Sequence, residues 1–405
     1  MLGQGTFQGR NVVLIVSGGI AAYKAVDLCR RLVDAGAHVA PVMTPGAARF
    51  VGEATFSALA SEPVQRSLWD EASPIPHTRL GQGADLVIVA PATARIIGSY
   101  ANGISDGLAT ATLLATRAPV LVCPAMHTEM WEHPAVQENL ATLRRRGVSV
   151  VEPAEGRLAG GDSGTGRLAP VETILAAAEQ LLTPQDLSGL RVLVSAGGTS
   201  EPLDPVRVIT NRSTGRQGYA LAAEAAARGA EVVLVTTVAD PTPPGVTTVG
   251  CATTAADLHD EVLRHSGTCD VVIMAAAVAD FRPVAPSKPK IKKRDGVPLI
   301  ELEPTTDILR ELVGRRRPGQ LIIGFAAETD DVVANAREKL SSKGLDVIVA
   351  NDVSRSDAGF DVATNAATIL VANGDEVEVP LCTKRALAAS VLDVVVGLRQ
   401  GSERA

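Results

Sequence analysis

The sequence predicts an α/β protein built from two tandem Rossmann-like domains with parallel sheets. Three observations lead to this prediction: the length of the chain, its aliphatic composition, and a pattern of alternating strands and helices that occurs twice along the sequence. At 405 residues the chain exceeds the size that a single core usually supports, so we expect two domains. Hydrophobic residues make up 46% of the chain but aromatic residues only 3%, so aliphatic side chains must fill the cores. That composition favours buried parallel strands covered by helices.

The first domain is predicted to begin with a strand, a helix and a second strand. Their apolar spacing assigns them to Asn11–Val16, Ile20–Asp34 and His38–Met43. Gly36 ends the helix. Three more strands follow with helices between them: Asp85–Ala90, Val120–Cys123 and Val148–Val151. Strands that alternate with helices form a parallel sheet with right-handed crossovers.

The same pattern starts again after residues 183–189, a turn-rich segment that we interpret as a linker. It separates a predicted domain 1–182 from a predicted domain 190–405. The second domain is predicted to open with a strand, a helix and a strand: Arg191–Ser195, Gly218–Arg228 and Glu231–Thr237. Near the C-terminus, apolar runs on both sides of Asn373-Gly374 predict a β-hairpin with a type I′ turn.

Charge and cysteine content argue against several classes of protein. The formal charge of −7 disfavours a nucleic-acid-binding surface. The five cysteines are scattered and form no CxxC pair, so we expect neither a disulfide framework nor a zinc site. No apolar run reaches the length of a membrane span, and the polar residues 1–10 carry no signal-peptide pattern. We therefore expect a cytoplasmic protein without nucleic-acid or membrane partners.

Small and polar residues follow the strands of the first domain, where ligands of open α/β sheets bind. Ser17, Gly18 and Gly19 follow the first strand; they form either a phosphate site or only a tight turn. They do not match the GxGxxG fingerprint, and Thr44 stands where an NAD site needs an acidic residue. A mononucleotide such as FMN is therefore favoured over NAD, and a tandem NAD-dependent dehydrogenase fits poorly. Further residues of this edge are Pro91, Ala92, Thr93, Asn102, Ser105 and Asp106.

Two histidines lie in loops of the first domain. His77 lies within the segment PHTRL, and His127 lies within PAMHTEMW. A lone loop histidine is more often structural than catalytic, and the second segment by its composition is also compatible with a packing loop. The residues alone leave both a structural and a functional role open for each histidine.

Residues 11–182 resemble the flavin-containing cysteine decarboxylases, because they carry the motifs of that family in the same order: SGGIAAYK, TPGAARF, PHTRL, APATA, NGISD and PAMHTEMW. The resemblance implies a flavodoxin-like flavoprotein domain that binds FMN through the edge residues named above. It implies that FMN oxidises the thiol of phosphopantothenoylcysteine, CO₂ is lost, and the reduced flavin returns the electrons. His77 would be the acid/base residue, a role that suits imidazole. The implied substrate contacts are Met126, His127, Asp162 and Arg167.

This chain departs from the decarboxylase pattern at two positions. His127 replaces an asparagine that contacts the substrate carboxylate. Gly160 replaces a cysteine that donates the last proton, and glycine has no side chain to do so. Either another group or water completes the reduction, or this half stops short of phosphopantetheine. The alternative is a ligase with a regulatory or incomplete flavoprotein half, since some eukaryotic relatives are phosphatase-inhibiting subunits.

The second domain carries residues suited to phosphate and metal. Ser213 and Gly215 lead into a helix, and Arg207, Arg212 and Arg216 add positive charge beside it, as an anion site or as a solvated surface. Asp280 follows a strand as either a Mg²⁺ ligand or a helix cap. A basic run follows, which is either an arm that closes on a triphosphate or a solvated loop: Lys288, Lys290, Lys292, Lys293 and Arg294.

Residues 190–398 resemble the phosphopantothenate–cysteine ligases over long motifs. The resemblance implies that CTP activates the phosphopantothenate carboxylate as an acyl cytidylate, which the cysteine amine then attacks. Asn211, Arg207 and Lys290 would act in catalysis, and Asp280 would bind Mg²⁺. The implied CTP-binding residues are Ser213, Gly215, Arg216, Ala276, Asp280, Phe281, Lys290, Thr305, Thr306, Asp307, Ile308, Phe325, Lys339 and Lys343. Relatives of the two halves imply a homo-oligomer, with a trimer-based decarboxylase core and dimeric ligase domains.

Overall fold

The computed structural model describes residues 6–69, 75–293, 297–354, 362 and 364–402. Residues 1–5 and Arg294, which entered the sequence predictions, lie outside these ranges. The chain divides into two compact units, Met1–Pro184 and Gln185–Ala405. No helix within the described ranges is long and apolar enough to cross a membrane.

The first unit contains a five-stranded parallel sheet. Its strands are β1 (Asn11–Val16), β2 (His38–Met43), β3 (Leu86–Ala92), β4 (Val120–Pro124) and β5 (Ser149–Val150). They lie in the order β2-β1-β3-β4-β5, which is the flavodoxin-like doubly wound order. The predicted parallel α/β architecture is therefore confirmed, and β1 and β2 have the predicted bounds.

Helices cover both faces of this sheet. They are α1 (Lys24–Asp34), α2 (Glu53–Leu59), α3 (Pro76–Gly83), α4 (Ala94–Ala101), α5 (Leu108–Ala115), α6 (Thr128–Glu132), α7 (Pro134–Arg145) and α8 (Val171–Leu182). Alternate residues of β1 enter different cores, with Leu14 on one face and Ile15 on the other. An antiparallel hairpin, β6 (Ala154–Arg157) and β7 (Ser163–Arg167), precedes α8.

The first helix differs from its prediction. Ile20–Tyr23 forms a 3₁₀ turn, and the α-helix begins only at Lys24. Gly19 is extended, and the N–H group of Ala22 bonds its carbonyl, which tightens the first turn. The short turn keeps the backbone of Gly18 and Gly19 close to the ends of the neighbouring strands.

The second unit contains an eight-stranded sheet and two small two-stranded ones. Its strands are β8 (Arg191–Ala196), β9 (Ser200–Pro202), β10 (Val208–Thr210), β11 (Glu231–Thr236), β12 (Val246–Cys251), β13 (Val271–Met274), β14 (Phe281–Pro283), β15 (Leu302–Pro304), β16 (Leu321–Glu328), β17 (Val347–Asp352), β18 (Thr364–Val371) and β19 (Glu376–Thr383). The large sheet has the order β12-β11-β8-β13-β16-β17-β18-β19. It is parallel from β12 to β17 and antiparallel at β18 and β19. The helices are α9 (Arg216–Ala227), α10 (Ala255–Ser266), α11 (Ile308–Arg315), α12 (Val332–Lys343) and α13 (Lys384–Ser402).

The predicted hairpin near the C-terminus is present as β18 and β19, but its turn is not type I′. A type I′ turn needs positive φ at both central residues, whereas only Gly374 has a positive φ, of 100°. The loop instead closes through a backbone bond from Val371 to Asp375, and Asp375 N–H donates to the side chain of Asn373. This side-chain bond stabilises a longer loop than Asn-Gly alone suggests.

Gly218 lets α9 pack directly on β8. A Cβ at this position would lie 2.5 Å from the Cβ of Ala196 and 2.8 Å from the carbonyl oxygen of Ser195. No side chain fits there without moving the helix away from the strand. Around the would-be Cβ of Gly314 in α11, by contrast, the part of the chain that the structure describes places no heavy atom within 4 Å.

We expect Gly218→Ala to lower the free energy of unfolding by about 1–3 kcal/mol, because the added methyl group overpacks the contact of α9 with β8. Gly314→Ala is the matched control and should raise it by about 0.5–1 kcal/mol, since alanine favours an exposed helix. Urea unfolding of the full chain measures both values. Equal effects of the two substitutions would contradict this account of the packing.

Candidate active sites at the carboxyl edges of the two sheets

Ser17 joins the carboxyl ends of β1 and β3. Its hydroxyl donates to the carbonyl of Pro91 at 2.7 Å and accepts from the N–H of Thr93 at 3.0 Å. The side chain is almost completely buried. Because both bonds are made within the protein, Ser17 fixes the strand ends on which the first site is built.

Gly18 lies against the loop that follows β2. A Cβ at Gly18 would lie 2.7 Å from the carbonyl carbon of Gly46 and 2.8 Å from its Cα. Only glycine allows these two backbone segments to approach so closely. Together with Gly19, they present main chain rather than side chains to the adjacent cavity.

A cavity of about 1190 Å³ opens at this edge. Its lining includes nine of the residues predicted for the first domain: Ser17, Gly18, Gly19, Thr44, Thr93, Asp106, Met126, His127 and Arg167. Six predicted residues do not line it: His77, Pro91, Ala92, Asn102, Ser105 and Asp162. Pro91 and Ala92 are buried within β3, and the amide of Asn102 donates to the carbonyl of Gly98 at the end of α4.

His77 lies in the first turn of α3, away from the cavity lining of its own chain. Its Nδ1 atom is buried and has no hydrogen-bond partner among the residues that the structure describes. The motif that suggested His77 therefore does not bring it to the cavity within one copy of the chain.

Several cationic side chains line the cavity that were not predicted from the sequence. These are Lys24, Arg66, Arg95 and Arg157, in addition to the predicted Arg167. Burial, and to a smaller extent Arg167, lower the pKa of Lys24. Arg95 donates to Asp106 at 2.7 Å and holds the pKa of that carboxyl below its ordinary value. These cationic side chains together favour an anionic ligand. Lys24 ends the SGGIAAYK motif, whereas the arginines come from separate elements of the chain.

His127 is the N-cap residue of α6, and its side chain faces two carboxylates. Its Nδ1 lies 3.1 Å from Oε2 of Glu129 and 3.5 Å from Oδ2 of Asp162. A backbone bond of Glu129 and the bond to His127 hold the pKa of Glu129 below its ordinary value. The interaction joins the loop after β4 to the turn between β6 and β7.

In the second unit, β8 and β13 are joined beyond their ends. The hydroxyl of Ser195 accepts from the N–H of Ala276 at 3.1 Å, and Gly198 pairs with Ala277. Asn211 donates its amide to the carbonyl of Val278 at 2.8 Å. The predicted residues Asn211 and Ala276 therefore lie at one edge of the sheet.

Asp280 and Thr305 extend the same edge. Thr305 donates its N–H to the carbonyl of Asp280 at 2.9 Å and its hydroxyl to Ala279 at 2.6 Å. Asp307 caps α11 and pairs with Lys343 at 3.1 Å. Of the predicted acidic and basic residues, Asp307 and Lys343 are thus in direct contact.

Arg207 is held by Asp204, whose side chain is fully buried. Asp204 accepts backbone bonds from Val206, Arg207 and Ile291, and Arg207 also donates to the carbonyl of Ile291 at 3.3 Å. Although burial opposes ionisation, the backbone N–H groups hold the pKa of Asp204 below its ordinary value. The carboxylate anchors the segment that carries Lys290, and the sequence-based prediction had missed it.

The remaining predicted residues differ in accessibility. Gly215, with φ of 77°, caps α9, and Arg216 is the first residue of that helix. Phe281 is half exposed, whereas the side chain of Ile308 is packed in the core. Lys339 pairs with Glu328 at 2.6 Å. The exposed or partly exposed ones are Ser213, Lys290, Thr306 and Phe325.

Comparison with known proteins matches both units. Residues 4–183 match the flavoprotein family, and residues 187–398 match the DNA/pantothenate metabolism flavoprotein C-terminal domain. Coenzyme A biosynthesis bifunctional protein CoaBC from Mycobacterium tuberculosis is 48% identical over 97% of this chain and 97% of its own. The protein of that name from Bacillus subtilis is 45% identical over 98% and 99%. A solved structure of a CoaBC C-terminal domain is 40% identical, with a TM-score of 0.46, over 54% of this chain and 99% of its own.

Both relatives are more than 40% identical to this chain, and in each pair the match covers almost the whole of both proteins. The chain therefore belongs to the family of the coenzyme A biosynthesis bifunctional protein CoaBC, and it is a two-domain enzyme with a decarboxylase half and a ligase half.

Proposed function

We propose that the second unit joins 4′-phosphopantothenate to cysteine with CTP, and that the first unit decarboxylates the product with FMN to give 4′-phosphopantetheine. The observation that carries the proposal is the cavity of the first unit, where bare backbone at Gly18 and Gly19 faces a set of cationic side chains. Backbone N–H groups and cations together suit the phosphate groups of a cofactor and a substrate.

The cavity fits FMN. The close contact of Gly18 with Gly46, where a Cβ would lie 2.7 Å from the carbonyl carbon of Gly46, leaves bare backbone at the strand ends. The volume of about 1190 Å³ exceeds that of a typical single-ligand pocket. Ser17, Gly19 and Thr93 would hold the cofactor at the strand ends, together with Asp106 of the cavity lining. FMN, when bound, takes two electrons from the substrate thiol and returns them after CO₂ is lost. His127 would bind the substrate carboxylate, and Arg167 would bind the substrate phosphate.

We propose His77 as the acid/base residue, and we propose that it acts in the cavity of a neighbouring copy of the chain. It does not line the cavity of its own copy, so a second copy must bring it there. This supports the homo-oligomer expected from the sequence, with decarboxylase sites between copies of a trimer and dimeric ligase domains.

In the second unit, CTP would lie along the edge that carries Asp280, Thr305 and Asp307. The carboxylate of Asp280 would bind Mg²⁺ together with the CTP phosphates. Lys290 would neutralise the charge that develops as pyrophosphate leaves, and Asn211 would bond the carbonyl of the acyl cytidylate. Support for this comes from the hydrogen bonds that hold Asn211 and Thr305 to the residues after β13.

Gly18→Ala should yield protein that retains little flavin, because the new methyl group would separate the loops that form the cofactor site. Gly52→Ala is the matched control, since no heavy atom of the described residues lies within 4 Å of its would-be Cβ. The flavin-to-protein ratio of each purified protein, read from its yellow absorbance, measures the effect. Wild-type protein that is colourless and releases no CO₂ would contradict the FMN assignment and leave the regulatory alternative.

His77→Asn should abolish CO₂ release and leave ligation intact. Co-expression of His77→Asn copies with Gly18→Ala copies should restore CO₂ release, because a mixed site takes its flavin from the first copy and its His77 from the second. Product analysis by mass spectrometry measures both reactions. No recovery in the mixture, with mixed oligomers confirmed, would place His77 within a single copy.

Lys290→Gln should lower pyrophosphate release from CTP by about 10²-fold, because it removes a charge that stabilises the transition state. Lys288→Gln, which removes the same charge two residues earlier, should have a much smaller effect. Release is measured with and without phosphopantothenate, and we expect turnover only when it is present. Equal loss in both variants would indicate general attraction of CTP by the basic run.

A further inference from the structure

Decarboxylation of phosphopantothenoylcysteine needs a proton donor. The reaction replaces a C–COO⁻ bond by a C–H bond, so one proton must reach that carbon in each turnover. Arginine does not supply it, because its guanidinium stays charged, and Asp106 is held ionised by Arg95. Within the cavity lining that the structure describes, His127 is the only imidazole.

We propose that His127 donates this proton from its Nε2 atom. The inference rests on the function proposed above and adds a catalytic role to a residue assigned there only to substrate binding. A group that binds the departing carboxylate lies beside the carbon that must receive the proton. One imidazole can therefore serve both purposes in succession.

The carboxylates around His127 leave Nε2 for this role. Glu129 and Asp162 both face Nδ1, at 3.1 and 3.5 Å, so Nδ1 carries a proton that they accept. This bonding fixes the orientation of the ring and leaves the opposite nitrogen for the substrate.

Gly160 leaves room for the imidazole. A Cβ at position 160 would lie 2.9 Å from Nε2 of His127 and 3.0 Å from Oδ1 of Asp162. Any side chain there would displace the ring or the carboxylate that orients it. The histidine at 127 and the glycine at 160 therefore form one arrangement, in which the donor group comes from the loop after β4 instead of from the β6–β7 turn.

Loss of CO₂ leaves an enethiolate, whose double bond takes the proton as the Nε2–H bond breaks and a C–H bond forms on the carbon that carried the carboxylate. The hydride equivalent that bound FMN would have taken from the same substrate would then reduce the thioaldehyde at its sulfur-bearing carbon and give the thiolate product. Nε2 then regains a proton from solvent, to which His127 is partly exposed.

The first test compares the products of full-length variants loaded with flavin. His127→Asn should lower the ratio of phosphopantetheine to enethiol by about 10²-fold, the usual contribution of a general acid. His127→Asn/Gly160→Cys should recover most of that ratio, because a thiol then occupies the vacated space. His133→Asn is the matched control: this exposed histidine caps α7 outside the cavity, and asparagine is also a good cap.

The outcomes separate this inference from the proposed function. A wild-type protein that releases CO₂ but accumulates enethiol would overturn the inference and keep the decarboxylase. His127→Asn with the wild-type product ratio would also overturn it. A wild-type protein that releases no CO₂ would instead contradict the proposed function.

A second test needs no turnover. In nitrogen NMR of histidine-labelled holoenzyme, we expect Nδ1 of His127 to carry a proton, and its signal should shift in Glu129→Gln/Asp162→Asn and in Gly160→Ala. An unprotonated Nδ1, or a signal that none of these substitutions moves, would show that the carboxylates and Gly160 do not orient the ring.

Discussion

In each unit, a close contact that only glycine allows lies beside the first strand of the sheet. This contact determines where the unit can bind a ligand. Gly18 meets the loop of Gly46, and Gly218 brings α9 onto the end of β8. In a parallel sheet all carboxyl ends face one edge, so a contact at one strand end positions the whole site. The first half thereby gains bare backbone beside a cavity, and the second gains a helix N-terminus beside the residues after β13.

The strands β1, β2, β8 and β11 could be predicted closely, because burial gives each of them a nearly uninterrupted apolar run. The bounds of β1 and β2 agree to the residue, since a glycine stop or a charged residue flanks each run. The start of the first helix and the turn after β18 could not be predicted as well. Both depend on which of several competing local hydrogen-bond patterns forms, such as the bond of Asn373 with Asp375 in place of a type I′ turn.

Several of the predicted residues of the candidate sites lie next to strand ends. Ser17, Thr93 and Asn211 meet this condition, and the structure gives each a bonded position at a sheet edge. The cations of the cavity were missed because helices, loops and a hairpin far apart in sequence supply them. A chain with a formal charge of −7 gave no reason to expect a cationic cavity. Net charge describes the whole surface, whereas binding depends on the local arrangement.

The two departures from the decarboxylase pattern look independent in the sequence, because 33 positions separate His127 from Gly160. In space they compete for one volume, since a Cβ at 160 would lie 2.9 Å from the imidazole. With the imidazole placed as it is here, a side chain at 160 would require it or Asp162 to shift, so the two positions need to be interpreted together. A missing catalytic group in one motif is therefore weak evidence for a lost activity until the residues that border its space have been compared.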